Sequence, residues 1–257
     1  MSMNLPVADW RQLRIWVIGA STGIGAACAR QLLSHGAKVA CSARKRETLQ
    51  QAFGKDERAL IAPLDIVDHA SVLAVRDHLV TAWGRIDLIL VVAGGYHPMR
   101  ADSFDLAAAK SLIELNLTGV YHCLDAVLPL LLQQGAGGIG IVASVAGFGG
   151  LPKALVYGPT KAALINLCET LYLDLRPRGI NVYQINPGFV ATPLTASNEF
   201  NMPALITADE AASQILDGIR RGQFHIHFPR RFSNFLRLLR LLPYGLYFWL
   251  IHKGTGL

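Results

Sequence analysis

Six short apolar runs alternate with five longer stretches of helical periodicity, and that alternation confines the chain to few architectures. The runs are 14–18 (RIWVI), 38–42 (KVACS), 59–64 (ALIAPL), 86–92 (IDLILVV), 139–143 (IGIVA) and 180–185 (INVYQI). Their near-continuous apolarity suits strands covered on both faces, as in a parallel sheet. Helical patterns occupy 23–35, 46–53, 69–83, 105–134 and 157–176. Strand–helix alternation favours a doubly wound sheet with right-handed crossovers and helices on both faces. No internal repeat or Pro/Gly/Ser linker divides the 257 residues, so one α/β domain is expected. With 52% apolar and only 16% charged residues, the chain can bury a large core and extensive disorder is excluded.

The first run leads directly into Gly19-Ala20-Ser21-Thr22-Gly23-Ile24-Gly25, where a helix pattern begins. Glycine leaves no Cβ between the backbone and a pyrophosphate. The helix behind it offers free N–H groups and a partial positive charge to the phosphates. A dinucleotide site is therefore expected along Gly19, Ser21, Thr22, Gly23, Ile24 and Gly25, although the spacing GxxxGxG is not the commoner GxGxxG. The second run ends in Ser42-Ala43-Arg44, followed by Lys45 and Arg46. An acid at that point grips the ribose hydroxyls of NAD, whereas a guanidinium suits a 2′-phosphate. NADP(H) is favoured over NAD(H). Asp65 in PLDIVD has two readings, an acceptor for adenine or the cap of a turn.

Tyr157 and Lys161 lie four residues apart in YGPTK, on one helix face, thirteen residues after Ser144. A free tyrosine titrates near pH ~10 and is a poor base at neutrality. A neighbouring ammonium is expected to favour the phenolate. Ser144, at the end of its strand, can donate to an oxygen on which negative charge develops.

With these residues the chain resembles the short-chain dehydrogenase/reductase family over about residues 14–193. The motifs stand in the expected order: GASTGIG at 19–25, Asp65-Ile66, Ala93-Gly94, Asn116 in ELNLTG, Ser144 in IVASVAG, YGPTK at 157–161 and NPGFVATP at 186–193. The resemblance implies a Rossmann-type fold, a nicotinamide cofactor, and a tetrad of Asn116, Ser144, Tyr157 and Lys161. It gives Asn116 a water linking Lys161 to solvent, and gives Lys161 a contact with the nicotinamide ribose. It brings Pro187, Gly188, Val190 and Thr192 near the nicotinamide. It also implies a homodimer or homotetramer with helices 105–134 and 157–176 at the main interface. One departure stands out: Val91-Val92 replaces the usual Asn-Asn before Ala93-Gly94. Cofactor contact there is then expected to rest on the Ala93 and Gly94 backbone.

The expected activity is an NADP(H)-dependent carbonyl reductase or alcohol dehydrogenase with Tyr157 as general acid/base. The rival reading is a sensor or scaffold that binds NADP(H) without turnover. Segment 194–206 is expected to act as a lid, and Phe148, Leu151 and Val156 suggest an apolar pocket for an apolar carbonyl or alcohol. His225 and His227 in FHIHF read as neighbours on one face of an edge strand. The four cysteines are widely spaced, so neither zinc nor a disulfide framework is expected, and no apolar leader opens the chain. These features suggest a cytoplasmic protein.

The formal charge of +6 comes without a basic, aromatic-interleaved patch outside the tail, and nucleic acid is not expected as a partner. From Arg230 a helical wheel gathers Phe232, Phe235, Leu236, Leu238, Leu239 and Leu242 opposite Arg230, Ser233, Asn234, Arg237 and Arg240. The extension 230–257 has two readings: peripheral membrane contact through 230–251, or packing on the protein or a neighbouring subunit.

Overall fold

In the computed structural model, which describes residues 2–196 and 202–255, the apolar runs become strands of one parallel sheet. The alternation proceeds through β1 (Arg14–Ile18), α1 (Gly23–Ser34), β2 (Lys38–Ser42), α2 (Arg46–Phe53), β3 (Ala59–Ile61), α3 (His69–Trp83) and β4 (Leu88–Val91). It continues through α4 (Leu106–Ile113), α5 (Gly119–Gln134), β5 (Gly137–Val142), α6 (Tyr157–Leu175) and β6 (Ile180–Pro187). The short pair β7 (Val190–Ala191) and β8 (Ile206–Thr207) precedes α7 (Ala208–Arg220), β9 (His225–Phe228), α8 (Arg230–Leu239) and α9 (Tyr244–Thr255). The sheet order is β3-β2-β1-β4-β5-β6-β9, a Rossmann-like arrangement with its order reversing between β1 and β4.

The strands formed by these runs feed two cores, which is why the runs lack polar alternation. In β1, Ile15 and Val17 join the core beneath α1 and α7, while Trp16 and Ile18 join the one beneath α3, α5 and α6. Leu88/Leu90 and Ile89/Val91 divide in the same way on β4. The four cysteines are buried, and burial pushes the thiols of Cys28, Cys41, Cys123 and Cys168 up to about 12.

Three local features differ from the expectation. The helix 105–134 contains a π-helical turn at Glu114–Thr118, where the fully buried Asn116 is drawn inward. Such single turns insert a residue and concentrate at functional sites. The combined helix Leu106–Gln134 is long and apolar enough to cross a membrane by length and composition, yet Val120, Cys123, Val127 and Leu131 are buried in the core. Helix α7 was not foreseen; its start is a capping box in which Thr207 and Glu210 satisfy each other's backbone N–H.

Candidate active site

The reversal of strand order opens a crevice at the carboxyl ends of β1 and β4, where ligands of such sheets bind. A cleft of about 740 Å³ occupies this position. Its near wall is the glycine turn. Gly19 has φ +96°, and both Gly19 and Ala20 donate to the Ser42 carbonyl, at 2.8 and 3.0 Å, tying the turn to the end of β2. A Cβ on Gly19 would lie 2.6 Å from the Ala93 nitrogen, so the two chain segments touch through backbone alone. Thr22 precedes α1 in extended conformation and makes no side-chain cap, which leaves the first N–H groups of the helix to an anion.

Ser21, Thr22, Gly23 and Ile24 line the cleft, and Arg44 and Lys45 stand at its border with Thr48. Asp65 and Ile66 also face it. The Asp65 carboxylate accepts from the Val67 N–H at 3.2 Å, so the turn-capping reading of that residue is realised. On the far wall lie Ala93 and Gly94, then Pro187, Gly188, Val190 and Thr192. Val92 and Ala93 both donate to the Ile18 carbonyl at 2.9 Å, and Val91 is core, so apolar packing and backbone bonds hold the end of β4 without side-chain amides. Thr195, which the sequence did not single out, accepts from Thr192 N–H at 3.1 Å and donates to the Val190 carbonyl at 2.6 Å, shaping this loop.

Ser144, Tyr157 and Lys161 meet at one end of the cleft. Ser144, two residues past β5, starts a tight turn, its hydroxyl accepting from Ala146 N–H at 3.1 Å. Gly147 lets that turn lie on α6: a Cβ there would be 2.7 Å from the Lys161 carbonyl carbon. The Lys161 ammonium donates to the Val142 carbonyl at 3.0 Å and stands 5.6 Å from the centre of the Tyr157 ring. Burial lowers its pKa to about 8. Tyr96 meets Tyr157 edge-on at 5.2 Å.

The expected acidification of Tyr157 by Lys161 is not what governs the phenol here. Burial raises the Tyr157 pKa, and the Ser144 hydroxyl pulls it down by less. The phenol is therefore held protonated at neutral pH and can act as a proton donor. Asn116 is the expected site residue that does not line the cleft. Its carbonyl oxygen accepts from Gly95 N–H at 2.7 Å, and its amide donates to the Gly95 carbonyl at 3.0 Å and to Thr160 Oγ1 at 3.3 Å. Its side chain thus clamps the segment after β4 to α6.

A nicotinamide dinucleotide fits the groups present. The cleft begins at an uncapped helix N-terminus with two cations beside it and ends at a hydroxyl, a phenol and an ammonium. A Cβ on Gly94 would sit 3.4 Å from Lys161 Nζ, intruding on the same space.

Other expectations fare differently. Val156 packs with Met99, Ala109 and Leu112, and Phe148 lies edge-on to His225 at 6.0 Å, so neither they nor Leu151 line the cleft. Leu194 and Thr195 do, while residues 197–201 of the proposed lid, Phe200 included, lie outside the described residues. His225 and His227 share one face of β9 with rings 4.5 Å apart, and burial holds His225 down to about 4, hence neutral.

The family model for short chain dehydrogenases matches residues 14–202. An uncharacterized oxidoreductase of Myxococcus xanthus is 32% identical over 235 residues, 90% of this chain and 93% of that protein. One from Staphylococcus epidermidis is 30% identical over 78% of this chain and 87% of its own length. Among solved structures, a short chain dehydrogenase from Burkholderia cenocepacia in complex with NADP superposes with a TM-score of 0.83 at 24% identity, covering 95% of this chain and 99% of its own.

Proposed function

This chain belongs to the short-chain dehydrogenase family of oxidoreductases, and on that footing we propose that it is an NADP(H)-dependent carbonyl reductase or alcohol dehydrogenase. One observation carries the reading: Ser144, Tyr157 and Lys161 converge at one end of a cleft whose other end is the glycine turn and Arg44. When bound, the nicotinamide supplies or accepts the hydride. In the reducing direction Tyr157 gives its phenolic proton to the carbonyl oxygen of the substrate. Ser144 donates to the same oxygen and offsets its developing charge. Lys161 would stabilise the phenolate left behind and would hold the nicotinamide ribose through its ammonium. Asn116 acts at a distance, holding Gly95 and α6 in register. The backbone at Pro187-Gly188 and the Val190–Thr192 loop would orient the carboxamide, and Leu194 and Thr195 line the cleft beside the space left for an apolar carbonyl or alcohol.

Turnover of purified protein with NADPH and a carbonyl panel tests the whole reading; absence of NADPH oxidation with every carbonyl, and of NADP reduction with every alcohol, would discard it. Two sharper outcomes are expected. Lys161 has a pKa lowered to about 8, so its charged form is complete well below that pH and lost above it. Because kcat/KM reports ionisations of the free enzyme, it should fall as pH rises through about 8. A profile flat to pH ~10, the ordinary range of a lysine, would refute the role given to Lys161.

Arg44 concerns cofactor choice. A charge-assisted bond to a 2′-phosphate contributes about 1.5–3 kcal/mol, or roughly ten- to a hundred-fold in affinity. Arg44→Ala should therefore weaken NADPH binding by that factor and leave NADH binding unchanged. Equal losses for both cofactors in fluorescence titrations would remove Arg44 from the phosphate site.

We also propose a homodimer or homotetramer through 105–134 and α6. Ile113, Tyr121 and Leu132 on the first and Leu173 on the second are exposed apolar side chains that support it.

A further inference from the structure

The apolar side of the tail is wider than the protein beneath it. On α8, Ser233 and Leu239 are buried and Phe232 packs against Phe189, ring centres 5.7 Å apart and tilted, so this side docks against the loop that carries Gly188. Ser233, expected on the polar side, instead faces inward and bonds His227 at 2.7 Å. Helix α9 is fastened by Tyr247, buried, whose hydroxyl donates to the Gly150 carbonyl at 2.7 Å. Beyond these anchors, Phe235, Leu238 (63% exposed), Leu241 (80%), Leu246, Phe248 and Trp249 (57%) are left to solvent. Part of the expected apolar face packs on the protein, and part of it does not.

The charge over this patch is one-sided. The first 217 residues hold 17 basic and 18 acidic side chains, whereas the last 40 hold seven basic and none acidic. Arg220 and Arg221 pair with Asp217. Arg230, Arg231, Arg237, Arg240 and Lys253 form no ion pair among the described residues, and the first four are exposed around α8. Two of these cations lie over exposed aromatic rings, Arg240 at 5.8 Å from Tyr244 and Lys253 at 5.1 Å from Trp249. Aromatic rings topped by cations suit the headgroup boundary of a bilayer, where the ring enters the acyl region and the charge stays with the phosphates. A second copy of this chain would set five uncompensated cations against five more. An anionic lipid surface would neutralise them.

We propose that α8 and α9 form a docking surface for an anionic phospholipid bilayer, with the exposed apolar side chains inserted and the five cations on the headgroups. This binding is independent of hydride transfer. Its anchors at Gly188 and Gly150 set the docked helices beside the reacting end of the cleft.

The test is sedimentation of the full chain with vesicles of phosphatidylcholine alone or mixed with phosphatidylglycerol. Sedimentation with the mixed vesicles only, weakened by salt, is expected. Each basic residue near such a surface contributes about five-fold in partitioning, so Arg237→Ala/Arg240→Ala should lower it by about 25-fold. Phe235→Ser/Leu238→Ser/Trp249→Ser, changes confined to exposed side chains, should abolish binding while keeping the melting curve. Equal sedimentation with both vesicle types, or binding untouched by the triple substitution, would overturn the proposal. So would absence of vesicle binding together with a lipid-free assembly that the triple substitution dissociates, because a second copy then covers the patch.

Discussion

Tyr157→Phe is expected to lower kcat by about 10²- to 10⁴-fold, the range a positioned proton donor contributes, with NADPH affinity and folding retained. The substitution removes one oxygen and preserves the ring that packs edge-on against Tyr96 and under Lys161. What disappears is the phenolic proton that the proposed mechanism delivers to a carbonyl oxygen. Ser144 loses the phenol as a partner but keeps its turn through the Ala146 N–H, and Lys161 keeps its bond to Val142. Steady-state NADPH oxidation, NADPH fluorescence titration and a thermal melt separate the consequences. Activity equal to that of the unsubstituted protein would eliminate Tyr157 as the acid, and with it the mechanism. A protein that binds NADPH tightly, turns over nothing and is indifferent to the change would fit a sensor instead. The direction of the Tyr157 shift adds a bias: a phenol raised by burial starts protonated, so reduction needs no prior ionisation, whereas alcohol oxidation does.

The parts legible in the sequence are those encoded within one turn of chain. GASTGIG required only strand, glycines and helix in succession, and YGPTK only the helical repeat; both motifs border one cleft. The strands were legible because burial on two faces removes polar alternation. Their ends were not: 59–64 shortened to Ala59–Ile61, and 139–143 lengthened to Gly137–Val142, because pairing with a neighbour decides where a strand stops.

What depended on long-range contact escaped. The clamp of Asn116 on Gly95 and Thr160 joins residues 21 and 44 positions away, and no periodicity announces the π-helical turn that aims it. The lowering of Lys161 and raising of Tyr157 both come from burial, which spacing does not report. The wheel of α8 sorted residues by angle alone and misplaced two of them: Ser233, expected outside, is buried, and Phe235, expected inside, is exposed, because what lies beneath the helix decides which side is covered. The Thr207–Glu210 box stands in the sequence, yet it follows a segment without periodic pattern, so no helix start is marked there.

The second large effect is expected at Gly25, where Gly25→Ala should damage both stability and dinucleotide binding. Gly25 is buried in the first turn of α1, and an added Cβ would collide with the Gly19 carbonyl oxygen and lie 2.8 Å from its carbonyl carbon. These are backbone atoms, so no side-chain rotation relieves the contact. Gly19 has little room to retreat: it already holds φ +96°, is bonded to the Ser42 carbonyl, and abuts Ala93. Overpacking of this kind costs about 1–3 kcal/mol or more, and each kcal/mol lowers Tm by roughly 2–4 °C in a chain of this size. The strain is released by moving the N-terminus of α1 away from the turn, which misdirects the N–H groups that would hold a pyrophosphate. Losing one such charged bond weakens binding by roughly ten- to a hundred-fold. Gly245→Ala is the control, because its Cβ would meet nothing within 4 Å in the first turn of α9 and should leave the melting temperature unchanged or slightly raised. Melting curves and NADPH titrations on the two variants decide it: if Gly25→Ala melts with the unsubstituted protein and binds NADPH equally well, the close backbone approach is not what shapes this end of the cleft.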